Sequence, residues 1–310
     1  CGAGSQDIMY VTLPLYHISA SLLGISGCIQ LGATCVLKQK FSARQFWNDC
    51  RKYVTAFLYR GEENREENSA ATSAISPVVH KVRIALGNGI RPSVWKEFLT
   101  RFGPIKIYEF YGSTEGGLGF LNYTDKIGAV GRAGIFSKFL HSFELLKYDI
   151  WKQELVKDEN GRCKKAPTGK PGLLVVQVTE DVPFSGYAGN KEASEKKLLR
   201  NVFVEGDVYL DTEDLLVMDE EGFLYFTDRV GDTFRWKGEN VATLEVAEII
   251  GMMDFVQEVT VYGVSIKNYE GRTGMAAIVL KCHHTFNRER LYKHVVDFLP
   301  SYAQPRFVGI

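Results

Sequence analysis

The densest run of residues able to do chemistry is IYEFYGSTEGG, Ile107 to Gly117. An aromatic strand leads straight into glycines, two hydroxyl residues and a carboxylate. In an open α/β sheet, ligands collect outside the carboxyl ends of the strands. A Gly/Ser/Thr loop there offers backbone N–H groups and hydroxyls to phosphate oxygens. Glu115 is an oxygen ligand suited to a Mg²⁺ that also contacts phosphate. Tyr111 is of a type that stacks on a base. A simple strand-to-loop turn accounts for the same spacing.

A second constellation lies between Gly206 and Asn240. Asp214 and Arg229 stand 15 residues apart, across a hairpin turn at Asp219 to Gly222. A carboxylate suits ribose hydroxyls, and a guanidinium suits phosphate or ribose oxygens. A structural ion pair is the competing reading. Gly231 follows as a candidate hinge, and Lys237–Gly238 opens the next part of the chain. Two further signals are weaker. His17, in LPLYHISA, adjoins an apolar helix, where a lone His is more often packed than catalytic. Gly87-Asn88-Gly89 ends a strand, and its glycines permit close backbone approach.

The elements that must position these groups follow from the periodicity. Strands are expected at Val11 to Leu15, Ala33 to Leu37, Val54 to Tyr59, Val82 to Leu86 and Ile105 to Phe110. Helices are expected at Ile18 to Leu31, after an N-cap at Ser42, and at Pro92 to Phe102. Strands alternating with helices indicate a mostly parallel sheet. Arg60 to Pro77 is charged, then small and polar, with little to bury, and reads as a loop or disordered insert. Residues 131 to about 230 look mainly β, with strands at Gly172 to Val178, Val208 to Leu210, Leu215 to Met218 and Phe223 to Phe226. From Gly231 the pattern is α+β: a helix at Leu244 to Met253, strands around Val259 and at Met275 to Lys281, and a helix ended by Pro300.

Composition narrows the function. Of 310 residues, 37 are Lys or Arg and 37 Asp or Glu, so the net charge is +0. A nucleic-acid binder carries a basic excess, so no nucleic-acid partner is expected. No apolar run approaches the roughly 18 residues of a membrane span. The six cysteines form no C-x-x-C and pair with no suitably spaced His, so neither a zinc site nor a disulfide scaffold is expected. His283 and His284 read as part of a solvated loop before a helix.

LPLYH, YGSTEG, the Asp214…Asp228-Arg229 spacing and DRVGDTFRWKGENVATLEVAE together resemble the adenylate-forming acyl-CoA synthetases. DTFRWKGENVAT, GNGIRPSVWKEF, PFSGYAG and LPSYAQPRF are similar to the very-long-chain acyl-CoA synthetase / fatty-acid transport protein branch. The resemblance covers nearly the whole chain outside about Arg60 to Val79. It implies an α/β adenylate-forming fold. A large α/β plus β-barrel-like domain would occupy residues 1–230, and a smaller, truncated α+β domain residues 231–310. It also implies a ligase that joins fatty acid, ATP and CoA through an acyl-adenylate. By similarity, Thr114 would hold phosphate and Glu115 Mg²⁺. Tyr111 and Gly112 would line the adenine pocket opposite Asn88 and Gly89. Asp214 would grip the ribose, helped by Arg229. Gly231 would be the hinge, and Lys237, Gly238 and Glu239 would serve the thioester step. His17 would lie near the acyl site. Membrane association through a missing N-terminal region, at the endoplasmic reticulum or plasma membrane with the catalytic part cytosolic, is implied in the same way.

The departures from that pattern matter too. The phosphate-binding loop would lie upstream of Cys1 and the adenylation lysine beyond Ile310. Both supply electrostatic stabilisation of the transferring phosphate, so this chain alone is expected to be an inactive fragment. Glu213 stands where the family has a glycine. A charged side chain at a close-packed glycine beside an anionic nucleotide is expected to impair ATP binding. A non-catalytic nucleotide- or lipid-binding relative is the alternative.

Overall fold

The computed structural model describes the chain except residues 1, 61–79, 114, 116–117, 134–142, 150–151, 237–238, 267–268 and 270. The polar insert and the Thr114, Gly116, Gly117, Lys237 and Gly238 readings therefore lie outside the described residues. The chain divides into two compact units: Cys1–Thr114 with Gly119–Arg132, and Glu115–Leu118 with Ala133–Ile310.

The first unit is a six-stranded sheet built from β1 (Ile8–Val11), β2 (Thr34–Leu37), β3 (Ala56–Arg60), β4 (Ile84–Asn88), β5 (Lys106–Gly112) and β6 (Gly119–Asn122). The order is β2-β1-β3-β4-β5-β6, parallel except for the antiparallel last pair. Both faces are covered because both sets of alternate side chains are apolar. Phe57, Tyr59, Ala85 and Ile107 pack with Trp47 and Phe102 of α2 (Ala43–Lys52) and α3 (Pro92–Phe102). The Trp47 and Phe102 rings stack with centroids 4.0 Å apart. Val11, Ala56, Leu58 and Ile84 pack with Ala20 and Cys28 on the other side.

The expected helix over Ile18 to Leu31 is present, but its first part is π-helical, Ser19–Ser26, before α1 (Gly27–Leu31). Gly24 lets this segment lie close to the sheet: a Cβ there would sit 2.8 Å from Leu58 Cδ1 and 2.9 Å from Val11 Cγ2. The first strand differs from expectation, ending at Val11 rather than Leu15. Pro14 has no N–H for a ladder, and its carbonyl instead accepts the His17 N–H in a turn.

The second unit begins with an antiparallel sheet, where the β-barrel-like part was expected. β7 (Phe143–Leu146), β8 (Gly172–Gln177), β10 (Val208–Met218) and β11 (Phe223–Arg229) are neighbours in the order β11-β10-β8-β7. The short β9 (Leu198–Arg200) follows α4 (Lys191–Lys196) and pairs with β10. The two short strands expected at Val208 to Leu210 and Leu215 to Met218 are one strand. The polar DTED between them reads as a break, but it is accommodated by register shifts and by Glu213 at φ 60°.

Next comes the hairpin β12 (Phe234–Trp236) and β13 (Glu239–Val241), then α5 (Thr243–Gly251), β14 (Val256–Ser265), β15 (Arg272–Leu280), α6 (Arg288–Phe298) and β16 (Phe307–Gly309). β14 and β15 are antiparallel, and β16 adds parallel to β15. This part has its own core, with Phe234, Val246, Ile250, Phe255, Ile278 and Leu291 among its members. His283 and His284 lie exposed in the turn before α6.

Thr273 marks a local flaw in that core. It is fully buried on β15 opposite Val264, and its hydroxyl has no partner among the described residues. Thr273→Val removes the unsatisfied oxygen at nearly constant shape and is expected to raise the unfolding free energy by about 1 kcal/mol. Urea titration of both proteins at equal slope checks this.

Candidate active site

The carboxyl ends of β4 and β5 carry the first group of candidate residues. The strands are in parallel register, with Leu86 opposite Tyr108 and Gly87 opposite Glu109. β4 runs out at Asn88, and Gly89 turns the chain with φ +82°. β5 extends beyond the expected end at Phe110 to include Tyr111 and Gly112, because β6 pairs with it there. Tyr111 is half-buried with its ring 5.8 Å from that of Phe120, and Gly112 is exposed. The four residues expected around a base are thus brought to the ends of adjacent strands.

Glu109 ties these ends together. It is 2% exposed. Its Oε1 accepts the N–H groups of Gly89 at 2.5 Å and Ile90 at 3.2 Å, and its Oε2 accepts the Tyr59 hydroxyl. Burial dominates its titration and pushes the carboxyl up to about 8, against the lowering effect of the three donors. Gly87 makes this possible. A Cβ on it would lie 2.0 Å from the Tyr59 carbonyl oxygen and 2.7 Å from the root of its ring. Of the two glycines in Gly-Asn-Gly, the first thus serves close approach and the second a left-handed turn. Sequence reasoning passed over Glu109, although one acid inside the aromatic run IYEFY was a signal.

Asp214 and Arg229 are opposite one another on β10 and β11, with Nε to Oδ1 at 3.4 Å. Asp214 is buried while the Arg229 side chain is 69% exposed, so the carboxylate is fixed and the guanidinium is reachable. Glu213 corrects an expectation. Its side chain is exposed, not crowded, and pairs with Lys197 Nζ at 2.8 Å. The position favours glycine because its φ of 60° is left-handed, at a cost of roughly 1–2 kcal/mol for other residues. The Glu213 N–H donates to Asp211 Oδ1 at 2.7 Å, and burial raises the Asp211 pKa.

Glu115 is partly exposed, and its Oε1 accepts the Tyr187 hydroxyl at 2.7 Å. That hydrogen bond and burial push the tyrosine up to about 12, so it remains a neutral donor. Sequence reasoning quoted Tyr187 within PFSGYAG without giving it a role.

Gly231 is exposed in a turn, and an added Cβ would meet nothing within 4 Å. Nearby, buried Asp228 accepts the N–H of Thr243 at 2.7 Å and its hydroxyl at 3.3 Å. It thereby caps α5, whose own N-cap residue, Ala242, has no side chain to do so. Glu239 lies exposed on β13. His17 is half-buried ahead of the π-helix. Its carbonyl accepts from the backbones of Ala20 and Ser21, and its ring lies 4.6 Å from that of Tyr16. Asn88–Gly89 and Tyr111–Gly112 lie in the first unit, and Glu115, Asp214 and Arg229 in the second.

The model for AMP-binding enzymes matches residues 1–177, and that for the AMP-binding enzyme C-terminal domain matches residues 245–310. The chain belongs to the AMP-binding enzyme family. It is similar to two proteins called long-chain fatty acid transport protein, with 55% identity to number 6 of Homo sapiens and 54% to number 2 of Rattus norvegicus. Each alignment takes in 100% of this chain and 50% of the relative. The chain spans about half the length of the curated relatives it matches. Among solved structures it resembles o-succinylbenzoate CoA synthetase of Bacillus subtilis in complex with its acyl-adenylate intermediate (TM-score 0.73, 22% identity, 99% of this chain and 58% of that one). It also resembles ATP-bound MatB of Rhodopseudomonas palustris (TM-score 0.77, 20% identity, 99% and 56%). The fold is therefore the expected adenylate-forming one.

Two outcomes follow for this family member. Gly87→Ala forces Tyr59 and β4 apart and is expected to cost at least about 2 kcal/mol of stability, read from the urea midpoint. Glu109 binds its proton more tightly in the folded chain than its ordinary value of 4.5 allows. Its contribution to stability is therefore complete below that value and lost as pH rises through about 8. The urea midpoint should fall between pH about 5.5 and about 8.5, and fall less in Glu109→Gln.

Proposed function

We propose that the chain is the later part of a long-chain or very-long-chain fatty-acid–CoA ligase that forms AMP and contributes to fatty-acid uptake. The supporting observation is identity of 55% along the whole chain to a long-chain fatty acid transport protein, within a shown AMP-binding family. In this reading the fatty-acid carboxylate attacks the α-phosphate of ATP, giving acyl-adenylate and pyrophosphate. The CoA thiolate then attacks the mixed anhydride, giving acyl-CoA and AMP.

The residues take the following roles. Asn88, Gly89, Tyr111 and Gly112 hold the adenine. Asp214 accepts ribose hydroxyls, and Arg229 reaches ribose or phosphate oxygens. Thr114 holds phosphate. Glu115 fits Mg²⁺ as a hard, partly exposed carboxylate oxygen donor beside the Tyr187 hydroxyl. A bound Mg²⁺ would offset charge on the phosphates. Residues 1–230 serve adenylation, and residues 231–310 turn about Gly231 to bring Lys237, Gly238 and Glu239 to the thioester step. His17 borders the acyl site. Membrane association, at the endoplasmic reticulum or plasma membrane with the catalytic part in the cytosol, belongs to the same reading. No helix among the described residues is long and apolar enough to cross a membrane.

Calorimetric titration of the chain with AMP and with adenine tests the nucleotide site. Asp214→Asn keeps size and removes the negative charge opposite the exposed Arg229. It should weaken AMP about tenfold and leave adenine unchanged. Equal affinity of variant and parent for AMP would refute the ribose role. The chain alone should make almost no acyl-CoA from palmitate, ATP and CoA. Robust synthesis would overturn its description as an inactive part.

A further inference from the structure

Glu109 is buried in a strand where an apolar side chain would avoid desolvation altogether. Replacing buried charges by apolar groups of similar volume is often neutral or stabilising, so packing gives no reason for an acid here. Its hydrogen bonds give one. Both backbone donors belong to consecutive residues of the turn after β4, Gly89 and Ile90, and they converge on a single oxygen. The other oxygen is anchored from the opposite side by Tyr59 on β3. Alternation along β5 puts Tyr111 on the same face of the strand as Glu109, two residues further on. The carboxyl therefore stands at the root of both features assigned to the base, the Asn88–Ile90 turn and the Tyr111 ring.

We infer that Glu109 is a positioning residue that sets the spacing between the Asn88–Ile90 turn and Tyr111, and so the fit of the adenine base between them. The inference rests on the nucleotide reading given above. Without the acceptor, two N–H groups lose their partner and the left-handed Gly89 is no longer held. The turn then samples positions that close or widen the space for a planar ring. The role needs an acceptor oxygen at the right reach, not a negative charge. A glutamine supplies that oxygen and can donate its amide to the Tyr59 hydroxyl. An aspartate keeps the carboxyl group but is one methylene short of joining Tyr59 to the turn. A leucine fills the volume and accepts nothing.

The test uses the whole chain and its Glu109→Gln, Glu109→Asp and Glu109→Leu variants. Amide hydrogen exchange is followed at Gly89 and Ile90, and AMP affinity by calorimetry. Parent and Gln variant should protect both amides and bind AMP alike. The Asp and Leu variants should exchange these amides at least about tenfold faster and bind AMP about tenfold more weakly, the loss of one hydrogen-bonded unit. Should the Leu variant fail to fold, the Asp and Gln pair decides the matter. Unchanged exchange and affinity in the Asp variant would overturn the inference. Faster exchange with unchanged AMP affinity would overturn it too, leaving the contact as scaffolding only. A parent chain that protects both amides but binds no AMP would refute the nucleotide reading itself, and the positioning role with it.

Discussion

Between β3, β4 and β5, one carboxyl group joins three strands of a parallel sheet. Glu109 takes the Tyr59 hydroxyl on one oxygen and two backbone N–H groups of the turn after β4 on the other. Withdrawal from water works against its ionisation, and three donors only partly offset it, which is why the group titrates near 8. The packing around it is equally constrained. Tyr59 reaches Glu109 only because Gly87 has no side chain to hold β3 away. The turn takes its shape only because Gly89 tolerates a positive φ. Three residue types far apart in chemistry thus serve a single arrangement at the sheet's carboxyl edge, where open α/β folds place their ligands.

The second unit solves a different problem, that of holding acids near one another. Asp211, Glu213 and Asp214 follow closely on β10, and each has its own answer. Asp211 is half-buried and accepts a backbone N–H, Glu213 swings outward to Lys197, and Asp214 faces Arg229. The Lys197 pair is exposed on the glutamate side and contributes little to stability. It does place a positive charge beside Glu213, which tempers the repulsion that a charge at this position would otherwise exert on an anionic ligand. The strain of a left-handed glutamate is carried by a strand that continues on both sides of it, so the fold tolerates it.

Much of this was legible in the residues. The alternation of apolar runs and amphipathic helices located the parallel sheet, and YGSTEG and the Asp214–Arg229 spacing singled out the parts for which a nucleotide role is proposed. The illegible parts share a cause: they depend on contacts across strands. Glu109 looked like one more polar residue in an aromatic strand, because Tyr59 is 50 residues away in sequence. Glu213 looked like a crowding problem, because φ is not written in a side chain. DTED looked like a break between strands, because its polar residues are satisfied by Lys197, Arg229 and the backbone of the same sheet. Asp228 could not be seen as a helix cap, since the helix it caps begins 15 residues later.

The central claim is that the carboxyl edge of β4 and β5 receives an adenine base. Photoaffinity labelling with 8-azido-AMP, followed by mass spectrometry of the digested chain, tests it most directly. The label should fall on the peptides carrying Asn88–Gly89 or Tyr111, and excess AMP should suppress it. Label confined to other peptides, or label that excess AMP leaves untouched, would contradict the claim.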